Sequence, residues 1–217
     1  MKLPVRCLGI ALLANVCFTP AGHTAPASGV VQMKHFLAAT HSLTAEFSQT
    51  VMDTNRRTVK QSSGTLAIKR PNRFRWDYAA PNREIIVADG ARVWIYDVEL
   101  QQVTVKPLDG TLAASPAVLL SGSNDVSRNF KVKDLGNKEG VAWVGLIPKV
   151  QDTDFEQVRL GFSKGTLAVM ELKDALGNLT RITFTHVVPN PKLSDDRFHF
   201  TPPPGADVIG DTGAPHG

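Results

Sequence analysis

The side chains best suited to catalysis or metal binding are few and scattered in this chain. Beyond the N-terminal segment the histidines are His35, His41, His186, His199 and His216. Their spacing matches no metal-ligand pattern, and the chain contains no HExxH, no GxSxG and no glycine-rich phosphate loop. A Ser-His-Asp triad assembled from distant positions stays open. We expect a protein that is not an enzyme and that holds no metal and no cofactor.

The first 27 residues have the pattern of a cleavable secretory signal peptide. Lys2 and Arg6 precede an apolar run over residues 7–18, which is too short to span a bilayer. Ala25-Pro26-Ala27 then supplies the small residues of a cleavage site. We expect cleavage after Ala27, with Ala21 as the alternative, and therefore a periplasmic location.

Both cysteines of the chain, Cys7 and Cys17, lie in this leader. The mature chain therefore forms no disulfide, and its stability must come from a hydrophobic core. Lipid attachment at Cys17 would need a Leu-small-small run before it, and Ala14-Asn15-Val16 does not supply one. We expect a protein without a lipid anchor.

Length and charge restrict the function further. Removing Lys2 and Arg6 from 24 basic residues leaves 22 against 20 acidic residues, a net charge of +2 that does not indicate nucleic-acid binding. Removing 27 of the 217 residues leaves 190, the size of one domain. We expect a single domain over residues 28–209, monomeric, followed by a disordered Gly- and Pro-containing tail over residues 210–217.

The most informative segment is KRPNRFRWDYAAPNREIIVADGARVWIYD, residues 69–97. In RFRWDY the rings of Phe74, Trp76 and Tyr78 alternate with charged residues, so period-two geometry places the three rings on one face of a strand. Asp89-Gly90 is a turn signal. The following VWIY offers no polar face, which predicts a strand that is covered on both sides.

The rest of the chain predicts a mainly β protein with some helix. An amphipathic helix is expected between residues 28 and 43. Strands are then expected at 44–52, 61–70, 73–79, 83–88, 92–97, 101–106, 129–135, 140–148, 155–163, 166–173 and 179–187. About eleven strands separated by short turns indicate a strongly curved antiparallel sheet that forms an incomplete, unclosed barrel.

The segment PLDGTLAASPAVLLSGSND, residues 107–125, interrupts the strands. Ser115-Pro116 predicts the start of a helix of one or two turns, and Gly122 predicts its end. An apolar helix this short must be buried. Two interpretations stay open: a core helix that closes one end of the barrel, or a mobile lid over an apolar cavity.

Three motifs in order give the chain a family resemblance: RPNRFRWDYAAP, then IVADGARVWIYD, then FHFTPPPGADV. Behind a cleavable signal peptide, they resemble the periplasmic outer-membrane lipoprotein carrier family, LolA, over residues 28–208. The resemblance implies an unclosed barrel covered by an N-terminal helix and a helical lid. It also implies three partners: acylated lipoproteins, an ATP-driven inner-membrane transporter of the ABC class that releases them, and an outer-membrane lipoprotein receptor.

The resemblance assigns roles to two residues. Arg70 corresponds to a family arginine that hydrogen-bonds carbonyls of the lid helices when the cavity is empty, which makes it a latch. Phe74 matches a family aromatic residue that influences the transfer of cargo. An alternative of the same fold is a periplasmic module that senses lipids or lipoproteins and regulates another protein.

The apolar faces of the strands supply the candidate cavity, although ordinary core packing explains each residue alone. Its expected lining is Phe47, Leu66, Ile68, Phe74, Trp76, Ile85, Val87, Trp94 and Tyr96. The expected lid contacts are Leu112, Val118, Leu119 and Leu120.

Overall fold

The computed structural model describes residues 27–108, 116–122, 126–150 and 155–210, with the backbone alone for residues 116–118. The predicted signal peptide therefore lies outside the described residues except for Ala27. The helices are α1 (Gly29–Ala39) and α2 (Pro116–Ser121). The strands are β1 (Ser42–Met52), β2 (Thr58–Lys69), β3 (Arg73–Tyr78), β4 (Glu84–Asp89), β5 (Arg92–Asp97), β6 (Gln102–Pro107), β7 (Phe130–Lys138), β8 (Val141–Pro148), β9 (Phe155–Ser163), β10 (Thr166–Asp174), β11 (Leu179–Pro189) and β12 (Asp207–Gly210).

The twelve strands form one sheet in the order β12-β6-β5-β4-β3-β2-β1-β11-β10-β9-β8-β7. Neighbours are antiparallel except for β12, which runs parallel to β6. Since β12 and β7 are the two edges of this order, the sheet is unclosed. The predicted incomplete barrel is confirmed, with one strand more than expected.

The extra strand corrects a predicted boundary. Gly210 pairs with Val105 and ends β12, so it belongs to the sheet and not to the expected tail. Residues 211–217 lie outside the described residues. The sequence does not predict β12, because a strand of four residues beside a Pro-rich segment is too short to show alternation.

The helix α1 is shorter than predicted because both of its ends are capped. The Ser28 hydroxyl accepts a hydrogen bond from the Val31 N–H at 3.4 Å at the N-terminus. Thr40 turns to an extended conformation while its N–H still donates to the Phe36 carbonyl. β1 then begins at Ser42, within the range that the sequence predicted as helix. Neither helix in the described part of the chain is long and apolar enough to cross a membrane.

The order of the strands explains the position of α2. The chain builds β1 to β6 to one side of β1, then crosses to β7 at the opposite edge and returns through β11 to pair with β1. The connection between β6 and β7 contains α2, which packs against β2 and β3. α1 packs against β7 to β10. Side chains of both helices join one apolar cluster on one face of the sheet, here called the inner face.

Apolar side chains form two clusters on opposite faces of the sheet. The inner cluster joins both helices to the inner face and includes Met33, Phe36, Leu37, Leu43, Phe47, Leu66, Ile68, Phe74, Trp76, Leu119, Leu120, Phe162, Met170 and Phe184. The outer cluster lies on β4 to β6 and includes Val87, Tyr96, Val103, Val105 and Phe200, with Ile85 and Trp94 packed against it. Phe200 comes from the segment before β12, so the C-terminal part of the chain covers this area of the outer face.

Charged residues stabilise another part of the outer face. The buried Glu171 of β10 lies between Arg159 of β9 and Arg181 of β11, its partners in register on the two neighbouring strands. The Arg181 guanidinium donates to Glu171 Oε1 at 2.9 Å, and Arg159 Nη1 lies 3.0 Å from Oε2 without hydrogen-bond geometry. One carboxylate therefore links three adjacent strands.

Candidate functional site

On the inner face, aromatic rings from β1, β3 and β11 contact one another. The ring centroid of Phe47 lies 5.0 Å from that of Trp76 and 5.1 Å from that of Tyr78, both edge to face. Trp76 also stacks on Tyr78 at 6.4 Å and contacts Phe184 at 6.3 Å. These offset and edge-to-face arrangements are favourable for aromatic pairs. The predicted alternation in RFRWDY is confirmed, since Phe74 and Trp76 belong to the inner cluster and the partly buried Tyr78 packs against it.

A glycine in β2 makes the contact between two of these rings possible. Gly64 pairs with Phe47 on one side and with Tyr78 on the other. A Cβ at Gly64 would lie 3.0 Å from Phe47 Cε1 and closer still to the Asp77 carbonyl. The missing side chain lets the rings of β1 and β3 meet across the strand between them.

Arg70 bonds to both of the helices that cover the aromatic interior. Its Nε donates to the Leu120 carbonyl of α2 at 3.0 Å, and its Nη1 donates to the Leu37 carbonyl of α1 at 2.6 Å. The guanidinium also lies 5.6 Å from the centroid of the Phe36 ring. Burial lowers the pKa of Arg70 to about 10, which still leaves it charged at neutral pH.

The backbone next to Arg70 adds a further contact to the short helix. The Asn72 N–H donates to the Ser121 carbonyl at 2.8 Å. Leu119 and Leu120 are buried in the inner cluster. Of the other two expected lid contacts, Leu112 and the side chain of Val118 lie outside the described residues.

The structure separates the nine expected cavity residues into two groups. Phe47, Leu66, Ile68, Phe74 and Trp76 lie together in the inner cluster. Ile85, Val87, Trp94 and Tyr96 lie on the outer face, so their expected placement is wrong.

The register of β3, β4 and β5 explains why these four residues face outward. Trp76 pairs with Ile86 and Phe74 pairs with Ala88, so the alternate residues of β4 and β5 face inward. Those residues are Ile86, Ala88, Val93 and Ile95. Both faces of β4 and β5 are apolar, so alternation alone could not decide between them. The prediction that VWIY is covered on both sides is confirmed.

The aromatic interior leads into a polar pocket through Tyr78. The Tyr78 hydroxyl donates to Gln49 Oε1 at 3.0 Å. The pocket has a volume of about 420 Å³ and is lined by Gln49, Lys60, Tyr78, Asn82, Arg83, Glu84, Asp97, Glu99 and Leu100. Along β3 the inner face therefore changes from hydrocarbon to hydrogen-bonding and charged groups.

Burial controls ionisation in this polar pocket. It raises the pKa of Tyr78 well above its ordinary value, and the nearby Glu84 carboxylate adds to this effect while the bond to Gln49 opposes it. It also raises the pKa of Glu84, which Lys60 opposes and Asp97 reinforces. Tyr78 is therefore neutral at physiological pH and can act as a hydrogen-bond donor.

Sequence reasoning missed inner-face residues outside the aromatic motif. Phe184 of β11 contacts Trp76, and Phe36 of α1 contacts Phe162 of β9 at 5.6 Å between centroids. The alternation of Ile182 and Phe184 in LTRITFTHV carried a usable signal. Phe36 belongs to the predicted amphipathic helix, but nothing in its spacing indicates which strands it meets.

Fold and site together define a class of protein: an incomplete barrel with an aromatic interior that is covered by two helices. Such an interior is suited to sheltering a hydrophobic ligand.

The amino-acid sequence is similar to those of a known protein family along most of its length. The model of the outer membrane lipoprotein carrier protein LolA matches residues 38–201, and the chain belongs to this family. It is 48% identical over 200 residues to the outer-membrane lipoprotein carrier protein of Dechloromonas aromatica, covering 92% of this chain and 96% of that protein. It is 42% identical over 193 residues to the protein of that name from Nitrosospira multiformis, covering 88% and 92% of the two chains. A crystal structure of a LolA superfamily protein from Nitrosomonas europaea matches with a TM-score of 0.46 at 11% identity, covering 78% of this chain and 94% of that one.

Proposed function

We propose that the mature protein is a periplasmic carrier of acylated lipoproteins. It accepts them after an ATP-driven ABC transporter has released them from the inner membrane, shelters their acyl chains, and delivers them to an outer-membrane receptor. The observation that supports this most is the aromatic interior beneath two helices that one arginine connects. Membership of the lipoprotein carrier family supplies the class of cargo.

The energetics of the cargo explain why a carrier is needed. Each buried methylene is worth about 0.8 kcal/mol, so exposing an acyl chain of roughly fifteen methylenes to water costs on the order of 12 kcal/mol. Free lipoproteins therefore cross an aqueous compartment too slowly and aggregate. A carrier must offer comparable apolar area and still give the chain up to the next protein.

The inner cluster meets both demands if its helices move. In the structure the inner-face rings pack against one another and against α1 and α2. Parting the helices from the sheet would expose apolar surface, which the acyl chains would then cover. When the cargo leaves, the rings pack again, and this repacking favours release.

Arg70 acts in this scheme as the latch of the closed state. Its hydrogen bonds to the Leu37 carbonyl of α1 and the Leu120 carbonyl of α2 form together only when both helices lie on the inner face. A guanidinium is suited to this role because it offers five donors in a rigid plane. No catalytic step is required of any residue.

Binding of an environment-sensitive apolar dye tests the proposed cavity. The mature protein should bind the dye saturably, and a triacylated lipoprotein should displace it in competition. An unacylated form of the same lipoprotein is the control and should not compete. Absence of saturable dye binding would mean that the inner cluster is a fixed core and would contradict the carrier function.

A further inference from the structure

The indole N–H of Trp76 is buried without a hydrogen-bond acceptor. The residue is 3% exposed, and among the described residues Nε1 has no acceptor. A buried indole N–H usually finds a partner. Trp94 on the outer face follows this rule, since its Nε1 donates to Asp89 Oδ2 at 2.9 Å. Leaving a buried donor unpaired destabilises the folded protein, so the position of Trp76 calls for a physical reason.

The neighbours of Trp76 explain why no residue in the described part of the chain supplies an acceptor. Its register partners are Leu66 on β2 and Ile86 on β4, both apolar. The rings of Phe47 and Phe184 contact its other sides. The indole is therefore packed among apolar side chains, within the surface proposed to receive acyl chains.

A polar region begins one step farther along the same strand. Tyr78 follows Trp76 by two residues on the same face, about 7 Å away. Its hydroxyl donates to Gln49, and it lines the pocket that contains Lys60 and Arg83. The order along β3 is therefore hydrocarbon, then a single donor, then a polar pocket.

An acylated glycerol has its chemical groups in this order. Its hydrocarbon chain is followed by an ester carbonyl, which accepts hydrogen bonds and donates none, and then by the polar glycerol. An indole N–H can only donate. The carbonyl of an ester is thus a suitable partner for Trp76, whereas a bare hydrocarbon is not.

We propose that Trp76 Nε1 forms a subsite for the carbonyl oxygen of an acyl ester, with the hydrocarbon chain on the inner cluster and the glycerol at the Tyr78 pocket. This rests on the proposed function and adds to it a preference for ester-linked chains and a direction in which they lie. The hydrogen bond replaces an unpaired donor, so ligand binding removes a cost that the unliganded protein carries.

Two matched lipids test this proposal. Monopalmitoylglycerol carries the ester carbonyl, and 1-O-hexadecylglycerol has a methylene in its place. Affinities are measured by displacement of the apolar dye from the mature protein. We expect about fivefold tighter binding of the ester, the factor that one neutral hydrogen bond of about 1 kcal/mol provides.

Two substitutions separate the effect of the Trp76 N–H on binding from the effect of its aromatic ring. Trp76→Phe keeps an aromatic side chain but removes the N–H, and it should reduce the ester-to-ether preference to about one. Trp94→Phe is the matched control, because its N–H bonds to Asp89 on the outer face, and it should leave the preference unchanged.

NMR of nitrogen-15-labelled indoles reports on the donor directly, even if Trp76→Phe folds poorly. The Trp76 N–H resonance should move downfield with the ester and much less with the ether, while the Trp94 and Trp143 resonances serve as internal references. Equal binding of the two lipids with an unmoved Trp76 resonance would overturn the subsite and leave the carrier function intact. If neither lipid displaced the dye while a triacylated lipoprotein did, the subsite would be wrong and the proposed cavity would stand.

Discussion

At the scale of single residues, Arg70 combines burial with positive charge. Burial lowers its pKa to about 10, yet the guanidinium keeps its proton at neutral pH and its donors reach two helices. A cation in this position is a poor stabiliser of a fixed core, because its desolvation opposes the hydrogen bonds. It is better suited to a contact that must form and break.

Arg70→Leu should leave the sheet folded but weaken the closed state. We expect cargo transfer to the receptor to slow more than uptake, because loss of the bonds to Leu37 and Leu120 removes stabilisation that returns only when cargo leaves. Hydrogen exchange of the α2 amides should become faster. Lys69→Met is the matched control, since Lys69 bonds to Leu193 and Asp195 instead of to either helix. Normal transfer by Arg70→Leu would refute the latch.

Asp89 provides a test of stability against pH. It accepts hydrogen bonds from the backbone of Ala91 and Arg92 at the turn between β4 and β5, and from the Trp94 indole. Burial acts to raise the pKa of Asp89, but the bonds from Trp94, Arg92 and Ala91 and the charge of Arg92 outweigh it and hold the pKa below its ordinary value.

Because the folded-state pKa is depressed, the contribution of Asp89 is complete above the ordinary aspartate pKa of about 4 and is lost as the pH falls through the folded value. Asp89→Asn should therefore lower the free energy of unfolding at pH 7, and its difference from the unsubstituted protein should shrink toward pH 3. Urea unfolding across this range is the measurement. A difference in unfolding free energy that stayed constant with pH would show that ionisation of Asp89 adds nothing to stability.

At the scale of elements, β2 illustrates how one small residue fixes the packing of its neighbours. Gly64 lies in register between Phe47 and Tyr78, whose rings meet across it. Alternation in the sequence predicted that the β3 rings share a face. It could not predict that a glycine on another strand would bring Phe47 into contact with them.

Gly64→Ala should destabilise the fold by about 1–3 kcal/mol, the usual cost of adding a methyl group to a packed position. The added Cβ would collide with the Asp77 carbonyl and press on the Phe47 ring. Ser63→Ala on the same strand is exposed and should change the unfolding free energy by less than about 0.5 kcal/mol. Urea unfolding measures both effects. Equal changes in unfolding free energy for the two substitutions would show that the sheet accommodates the added methyl group beside Asp77 and Phe47 without a loss of stability.

The faces of β4 and β5 mark the limit of sequence reasoning at this scale. In RFRWDY charges identify the outer face, and the structure agrees. In EIIVAD and RVWIYD both faces are apolar, because the inner cluster covers one and the segment carrying Phe200 covers the other. The second cover comes from more than 100 residues away in sequence, so no local pattern could assign the faces.

At the scale of the whole molecule, the sequence predicted an unclosed barrel with helical cover, and the twelve-stranded sheet confirms it. Turn signals and alternation are local, so they located eleven strands. Pairing of β1 with β11 and of β12 with β6 depends on contacts between distant segments and could not be derived from them. The same applies to Arg70, whose helix contacts followed from the family resemblance and not from its surroundings in sequence.

Transfer of lipoprotein through solution tests the central claim most directly. Inner-membrane vesicles that hold a triacylated lipoprotein are incubated with ATP and the mature protein, and lipoprotein in the soluble fraction is measured. We predict release as a one-to-one complex that requires both ATP and this protein. Lipoprotein that stays in the vesicles under these conditions, while the protein is folded and binds the apolar dye, would contradict the carrier function.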